Sequence, residues 1–192
     1  MEKIVEKSFR DSVKAKERFF TKKNMALVVE AAEAVVASFK SGGKLMLIGN
    51  GGSAADSQHI AAEFVNRFEI ERPPLPALAL TTDTSDLTSI GNDYSFDQVF
   101  SKQIRALGKG NDVLLAISTS GNSANVLKGI EAAKAMKIKT IALTGKDGGK
   151  MADKADILLN VDSKTTARIQ ETHITICHII CELVDHMLFQ KV

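Results

Sequence analysis

The sequence predicts an α/β protein: a three-layer, doubly wound sandwich around a five-stranded parallel sheet, with a long helical segment at each end. Three observations predict this fold. Short apolar runs recur along the middle of the chain, several of them are apolar at every position, and longer segments of helical period lie between them. Strands that are apolar throughout are typical of a parallel sheet covered on both faces, and alternation of strand with helix is typical of doubly wound proteins.

Each predicted strand is a short apolar run. The five strands are expected at residues 44–48, 77–80, 113–117, 140–143 and 157–161. Helical patterns fall between them at residues 54–67, 96–107 and 123–136, with a short helical stretch at 86–90. All three prolines lie within residues 71–76, which therefore form an extended connector before the second strand.

The two ends of the chain are helical and longer than the cover of one small sheet requires. Residues 3–40 have helical period and stop at Gly42-Gly43, and residues 166–189 form a second long pattern with an apolar face. This surplus of apolar helical surface favours an oligomer interface. We expect one domain over residues 1–192, made of an N-terminal helical segment (1–40), an α/β core (41–163) and a C-terminal helix (164–192).

Composition narrows the class of protein. The 192 residues are 44% hydrophobic and 25% charged, with a formal net charge of +2 and scattered lysines. No basic stripe indicates a nucleic-acid partner, and no apolar run approaches the ~20 residues of a membrane span. The first residues do not form a signal peptide, and Cys177 and Cys181 are interpreted as core residues in a reducing compartment. We therefore expect a cytoplasmic protein with neither a membrane nor a nucleic-acid partner.

A loop rich in hydroxyl groups, residues 118–123, follows the third predicted strand and precedes a helix. The free N–H groups and the dipole of a helix N-terminus favour an anion, and four side chains can add donors around it: Ser118, Thr119, Ser120 and Ser123. No lysine follows, so the loop suits a single phosphate on a small molecule rather than a nucleoside triphosphate. The alternative is a polar turn in which Ser123 only caps the next helix.

A second loop, Gly49-Asn50-Gly51-Gly52-Ser53, follows the first strand and opens the next helix. Ligands of open α/β sheets bind at the carboxyl ends of strands, and glycine lets the backbone approach a ligand closely. One glycine-rich loop is also explained by a tight strand-to-helix turn. Two such loops in one sheet favour a binding site.

His59 and Glu63 lie four residues apart in the helical pattern after this loop, on a face that also carries Asp56 and Arg67. They are interpreted either as metal ligands or as an acid/base pair beside a substrate. The alternative is an exposed pair of helix neighbours, which the spacing alone favours.

The C-terminal helical pattern contains three further polar candidates. Gln170 falls within its apolar stripe and His178 at the edge of that stripe, so Gln170 needs a core, substrate or metal partner. His173 is interpreted as a core histidine without a functional role, and His186 as exposed. Asn92 and Asp93 are expected in a loop after the short helical stretch, because both favour turns.

Six motifs together resemble the phosphoheptose isomerase family of sugar isomerase (SIS) domain proteins. They occur in the order and spacing of that family and extend from the first helix to the C-terminus: Gly49-Asn50-Gly51-Gly52-Ser53, His59-x3-Glu63, Gly91-Asn92-Asp93, residues 118–123, residues 143–149, and Ala167-Arg168-Ile169-Gln170-Glu171. One departure is Ala167, where some family members carry an acidic residue, so the resemblance assigns no role of that acid to this chain.

The resemblance implies an enzyme, a metal and an assembly. It implies isomerisation of D-sedoheptulose 7-phosphate to D-glycero-D-manno-heptose 7-phosphate, the first step towards the ADP-heptose of lipopolysaccharide core. It implies a cytoplasmic homotetramer with active sites at subunit contacts and one zinc ion per subunit, held by His59, Glu63, Gln170 and His178. The substrate contacts that it implies are Asn50, Gly51, Gly52, Glu63, Arg67, Asn92, Asp93, Ser118, Thr119, Ser120, Ser123 and Gln170.

Aldose–ketose conversion moves a proton between neighbouring carbons through an enediol, which needs a base, an acid and stabilisation of negative charge. Glu63 is the candidate base and His178 the candidate acid or proton shuttle. Glu63 cannot bind zinc tightly and also act as a free base, and the sequence leaves this open. The alternative function is a non-catalytic tetramer similar to the DnaA initiator-associating protein, which lacks counterparts of Glu63 and His178.

Overall fold

Five parallel strands form a single sheet in the computed structural model, which describes residues 1–190. The strand order is β2-β1-β3-β4-β5, and every neighbouring pair is parallel. The strands are β1 (Leu45–Gly49), β2 (Ala77–Ala79), β3 (Val113–Ser118), β4 (Lys139–Gly145) and β5 (Ile157–Val161). The five predicted strands are therefore confirmed, with ends shifted by at most two residues.

Seven α-helices surround this sheet in the described part of the chain. They are α1 (Glu2–Phe19), α2 (Lys22–Lys40), α3 (Gly52–Val65), α4 (Thr84–Asp93), α5 (Val99–Leu107), α6 (Ala124–Ala135) and α7 (Thr166–Phe189). Short 3-10 turns at Phe96–Gln98 and Gly149–Met151 complete the elements. Helix α7 has the bounds that its apolar period predicts.

The strands have two buried faces because their side chains alternate between two apolar layers. Leu45 and Leu47 of β1 pack with α2, α3 and α7, while Met46 and Ile48 pack with α5 and α6. All five residues of β1 and all six of β3 are buried. This arrangement confirms the three-layer, doubly wound fold and explains why the central strands are apolar at every position.

The N-terminal helical segment is confirmed but contains a break, and the loop predicted at Asn92 and Asp93 is wrong. The helical period over residues 3–40 is divided into α1 and α2 at Phe20, where the backbone leaves the helical region. Thr21 then accepts a hydrogen bond from the backbone N–H of Asn24 and begins α2. Asn92 and Asp93 are not in a loop but form the last residues of α4, because the helix extends past the predicted stretch.

A buried carboxylate joins the first residues of β1 and β3 at the amino end of the sheet. Asp112 accepts hydrogen bonds from the backbone N–H of Lys44 at 2.9 Å and of Lys109 at 2.7 Å. Its other contact is the Lys44 ammonium, 2.6 Å away, and the Asp112 side chain is only 1% exposed. This pair ties the two central strands together at the edge opposite the loops that follow them.

The helices α1, α2 and α7 enclose an apolar cleft of about 470 Å³. Its walls include Phe19, Met25, Val28, Ile176 and Leu183. Helix α1 also exposes apolar side chains: Ile4, Val5, Phe9 and Val13 are each more than half exposed. The predicted surplus of apolar surface on the terminal helices is therefore present.

Within residues 1–190, none of the helices combines the length and the apolar character that crossing a bilayer demands.

His173 of α7 is a buried histidine, as the sequence indicates. It is 0% exposed, and its Nε2–H donates to the carbonyl oxygen of Thr144 at 2.8 Å. Burial lowers the pKa of His173 from 6.5 to about 4. The neutral ring is thus favoured in the folded protein, while the unfolded chain takes up a proton near pH 6.5.

We therefore expect His173 to destabilise the fold progressively as the pH falls from 6.5 towards 4, by roughly 2 kcal/mol at pH 4.5 relative to pH 7. Urea unfolding of the wild type and of His173→Gln at both pH values measures this, since glutamine keeps a donor for Thr144. The free-energy difference between the two proteins should shift by that amount. Equal pH dependence of both proteins would contradict the assignment.

Candidate active site

The chain reverses its direction of winding between β1 and β3, and this point forms a crevice at the carboxyl edge of the sheet. Strand β1 is followed by α3 on one face, and β3 is followed by α6 on the other. The first residues of both helices therefore flank the crevice, which is the usual ligand site of such sheets. The two loops singled out in the sequence are the two that lie there.

Two asparagines tie these loops together. The Asn50 amide nitrogen donates to Asn125 Oδ1, and the Asn125 amide nitrogen donates to Asn50 Oδ1, both at 2.9 Å. Asn125 is 4% exposed and also accepts from the N–H of Val126. The Asn50 side chain is therefore engaged within the protein. Sequence reasoning missed Asn125, although it directly follows the hydroxyl-rich loop.

The loop of residues 118–123 gathers its hydroxyl groups on one side. Ser118 Oγ lies 2.9 Å from Ser123 Oγ and 3.4 Å from Ser120 Oγ. Ser123 occupies the N-cap position of α6, but its side chain makes no capping hydrogen bond among the described residues. Its hydroxyl joins the serine cluster instead, so the interpretation of Ser123 as only a helix cap is wrong.

A glycine in this loop is required by close packing. Gly121 has a φ of +63°, and a Cβ atom there would lie 1.9 Å from the carbonyl oxygen of Gly148. The Gly121 carbonyl in turn accepts from the N–H of Met151 at 3.0 Å. The Gly148-Gly149 turn therefore packs directly against the hydroxyl-rich loop. This contact explains the glycines in the motif at residues 143–149.

Three of the four candidate metal ligands come together between α3 and α7. His59 Nε2 lies 3.0 Å from His178 Nε2 and 3.4 Å from Glu63 Oε1. His178 is 119 residues away from His59 in the sequence. The His59–Glu63 pair is thus more than an exposed pair of helix neighbours.

The environment of His178 favours the neutral imidazole. Burial is the main cause of its lowered pKa, the neighbouring His59 lowers it further, and the Glu63 carboxylate opposes both. Phe68 stacks on the His178 ring, with centroids 5.5 Å apart and planes inclined by 26°. Phe68 is a site residue that the sequence pattern did not indicate, because it follows α3 without a distinguishing motif.

The donor atoms suit zinc in type and spacing. Ligands that bind zinc tetrahedrally at 2.0–2.1 Å lie about 3.3 Å from one another. The separations of 3.0 and 3.4 Å around His59 are close to that value. In residues 1–190, however, no group of three His, Cys, Asp or Glu side chains is already arranged to hold a metal ion. In type, these residues fit the ion chemically.

The side chain of Gln170, near the start of α7, contacts the start of α3 rather than the histidine pair. A Cβ on Gly52 would be 2.3 Å from Gln170 Nε2, so the amide rests directly on the backbone of that glycine. Gly52 precedes His59 by seven residues, about two helical turns. The Gln170 amide therefore lies beside the glycine-rich loop. To reach the histidines, the side chain would have to extend along α3 by about two turns.

The predicted contacts Arg67, Asn92 and Asp93 are exposed on the surface. Arg67 is exposed, 3.7 Å from Glu71. The exposed Asn92 amide donates to Asp93 at 2.8 Å. Among the described residues, neither makes a hydrogen bond to the histidine cluster or to the serine cluster. Asp56 is half-buried near His59, and burial raises the pKa of its carboxyl group.

Comparisons with known proteins agree with this arrangement. Residues 8–145 match the SIS domain family. A phosphoheptose isomerase of Thermodesulfovibrio yellowstonii is 52% identical over 190 residues, covering 99% of this chain and 94% of the relative. One from Laribacter hongkongensis is 60% identical over 164 residues, covering 84% of each chain.

Solved structures give the same result. Phosphoheptose isomerase GmhA from Neisseria gonorrhoeae superposes with a TM-score of 0.90 at 50% identity, over 96% of this chain and 98% of that one. A phosphoheptose isomerase from Francisella tularensis gives a TM-score of 0.92 at 41% identity, over 96% and 97%. The predicted family and the predicted class of enzyme are confirmed, and the chain belongs to the phosphoheptose isomerase family of SIS-domain proteins.

Proposed function

We propose that this chain converts D-sedoheptulose 7-phosphate to D-glycero-D-manno-heptose 7-phosphate, the first step towards ADP-heptose for lipopolysaccharide core. The observation that carries the proposal is the meeting of His59, Glu63 and His178, about two helical turns along α3 from the loop that Asn50 ties to the hydroxyl-rich segment. The membership of the phosphoheptose isomerase family supports the same substrate. We place the reaction in the cytoplasm, with a sugar phosphate as the ligand and no nucleic-acid partner.

The serine cluster and the histidine cluster have different roles in the proposed reaction. The serine cluster and the N-terminus of α6 bind the phosphate, because both present hydrogen-bond donors and the helix dipole favours an anion. Binding of this remote group orients the reacting carbons at the histidine pair. Glu63 takes the proton from carbon, and the neutral His178 exchanges a proton with the neighbouring oxygen.

The proposed cofactor is one zinc ion per subunit, held by His59, Glu63, Gln170 and His178. When bound, such an ion polarises the substrate carbonyl and stabilises negative charge on its oxygen. The imidazole pair and the Glu63 carboxylate are the donor types that zinc prefers. Glu63 would be one ligand of such an ion and is also the proposed base.

A binding protein of the DnaA initiator-associating type is not favoured as an alternative. The DnaA initiator-associating protein lacks counterparts of Glu63 and His178. In this chain both residues are present and lie close to His59. The relatives with 50–60% identity reported above are phosphoheptose isomerases.

The first test concerns the phosphate loop. Replacing Ser120 and Ser123 together by alanine should lower kcat/KM at least about tenfold, chiefly through KM, because each lost hydrogen bond to a charged group contributes about 1.5–3 kcal/mol. Steady-state kinetics with sedoheptulose 7-phosphate measures this. Ser41→Ala, an exposed hydroxyl beside Gly42 and Gly43, is the control and should behave as wild type. Equal turnover of unphosphorylated sedoheptulose would contradict the loop's role.

The second test concerns the acid/base pair and the metal. Glu63→Gln and His178→Gln should each lower kcat by about 10² or more, the usual scale for a positioned acid or base. His59→Ala should lower the zinc content measured by atomic absorption while the protein stays folded. His186→Gln, which removes an exposed histidine from the same helix as His178, serves as the control. Nearly normal turnover of Glu63→Gln or His178→Gln would show that the cluster is structural.

We also propose a homotetramer held by the terminal helices, with active sites at subunit contacts. The apolar cleft between α1, α2 and α7 and the exposed apolar side chains of α1 support an interface there. Light scattering should give about four times the chain mass of 20.7 kDa. Phe9→Glu should produce smaller species, whereas Phe96→Glu, an aromatic side chain that is 60% exposed outside these helices, should not. A monomeric wild type at micromolar concentration would contradict the proposal.

A further inference from the structure

An ion pair between Arg72 and Asp185 is buried beyond the reacting cluster. Arg72 Nε donates to Asp185 Oδ1 at 2.6 Å, and the two residues are 6% and 3% exposed. They are 113 residues apart in the sequence. Arg72 lies in the proline-rich connector after α3, and Asp185 lies in the last third of α7.

Arg72 closes the carboxyl end of α3. Its Nη2 donates to the carbonyl oxygen of Glu63 at 2.9 Å, and its Nη1 donates to that of Phe64 at 2.8 Å. The last carbonyl groups of a helix lack partners within the helix, and a cation there also opposes the helix dipole. One of these two carbonyls belongs to Glu63, the proposed base. Arg72 thus holds the backbone of the residue whose side chain faces the histidines.

Asp185, a residue of α7, binds the same arginine. It follows His178 by seven residues, about two helical turns, so both side chains are on one face of α7. The helices α3 and α7 are therefore joined at two levels. One is the contact of His59 with His178 at 3.0 Å, and the other is the bridge from the Glu63 carbonyl through Arg72 to Asp185.

Capping of α3 gives a stability reason for Arg72, but not for burying a carboxylate beside it. Phe64, whose carbonyl Arg72 binds, and Val184, which precedes Asp185, are both 0% exposed. Among the described residues, Asp185 Oδ2 has no hydrogen-bond partner. Replacing a buried ion pair by apolar side chains of similar volume is often neutral or stabilising, since desolvation offsets the attraction. Unlike apolar packing, the pair fixes the relative position of the two helices, because the guanidinium must bond to two carbonyl groups and a carboxylate at the same time.

We infer that Arg72 and Asp185 are a positioning pair that sets how far α3 is displaced along α7, and with it the separation of Glu63 from His178. The inference rests on the proposed roles of those two residues. Neither Arg72 nor Asp185 touches the substrate. Their effect passes through the backbone of Glu63 and the shared face of α7.

Two variants test the inference. Asp185→Asn keeps the side-chain volume and removes the negative charge. Arg72→Lys keeps the positive charge but replaces the planar guanidinium, which bonds to three acceptors, by an ammonium group. We expect each to lower kcat about tenfold or more at saturating substrate, the scale found for residues that orient a site from behind. KM should stay within about twofold, because the phosphate loop on the other side of the crevice is unchanged. If Asp185→Asn does not fold, Arg72→Lys carries the test.

Asp112→Asn is the matched control. It also removes the charge of a carboxylate buried beside a basic side chain, but one that binds Lys44 and Lys109 and joins β1 to β3 rather than α3 to α7. Its melting temperature should fall as in the other variants, while kcat and KM stay at wild-type values. The inference is overturned if Asp185→Asn and Arg72→Lys keep wild-type kcat, or if Asp112→Asn loses kcat to the same extent.

A crystal structure of Asp185→Asn separates this inference from the proposed function. The distance between His59 Nε2 and His178 Nε2, or the position of Glu63 relative to His178, should change by more than about 0.5 Å, the tolerance of a productive site. An unchanged arrangement overturns the positioning role. If the wild type does not isomerise the heptose phosphate, the proposed function fails, and this structural comparison still decides whether the pair sets the geometry.

Discussion

The parallel pairing of β1 with β3 is the constraint on which the rest of the site depends. Their register brings Gly49 opposite Ile117, so both strands end at nearly the same level. Helices α3 and α6 leave from that level towards opposite faces of the sheet, and their first residues border one crevice. The space there is small: a Cβ on Gly49 would lie 2.6 Å from the Ser53 carbonyl oxygen. Crowding of this kind explains Gly49, Gly52 and Gly121, whereas Gly51 has open space around it and a φ of +54°.

Burial then decides which helix meets α3. Ile60 and Phe64 belong to the same apolar layer as Ile176 and Ile180, so α3 and α7 pack through these faces. His59 and His178 lie at the solvent edge of that contact, which explains how two residues distant in sequence reach 3.0 Å. The same packing leaves Gln170 at Gly52, two turns away. To join the histidines as a ligand, the Gln170 amide would have to move away from Gly52.

The sequence predicts the fold well where the physical signal is local. Strands that are apolar at every position, such as Val113–Ser118, and the long apolar stripe of α7 are of this kind. The break at Phe20 is missed because the helical period continues on both sides of it. The turn preference of Asn92 and Asp93 is overridden by the helix that precedes them. Arg72 and Asp185 give no local sign of burial, since isolated charged residues are usually solvated and only the tertiary fold brings these two together.

The buried polar pairs lie where the apolar layers meet loops or helix ends. Lys44–Asp112 joins the amino ends of β1 and β3, Asn50–Asn125 joins the loops at their carboxyl ends, and Arg72–Asp185 joins the end of α3 to α7. Apolar contacts are weakly directional, so packing alone allows neighbouring elements to slide along their axes. Hydrogen bonds between fixed donors and acceptors do not allow this without losing a partner in a low-dielectric interior. The Asn50–Asn125 pair borders the crevice, while Arg72–Asp185 lies at the carboxyl end of α3, about two helical turns beyond His178. The apolar layers thus determine which elements are neighbours, and the polar pairs determine the register in which they meet.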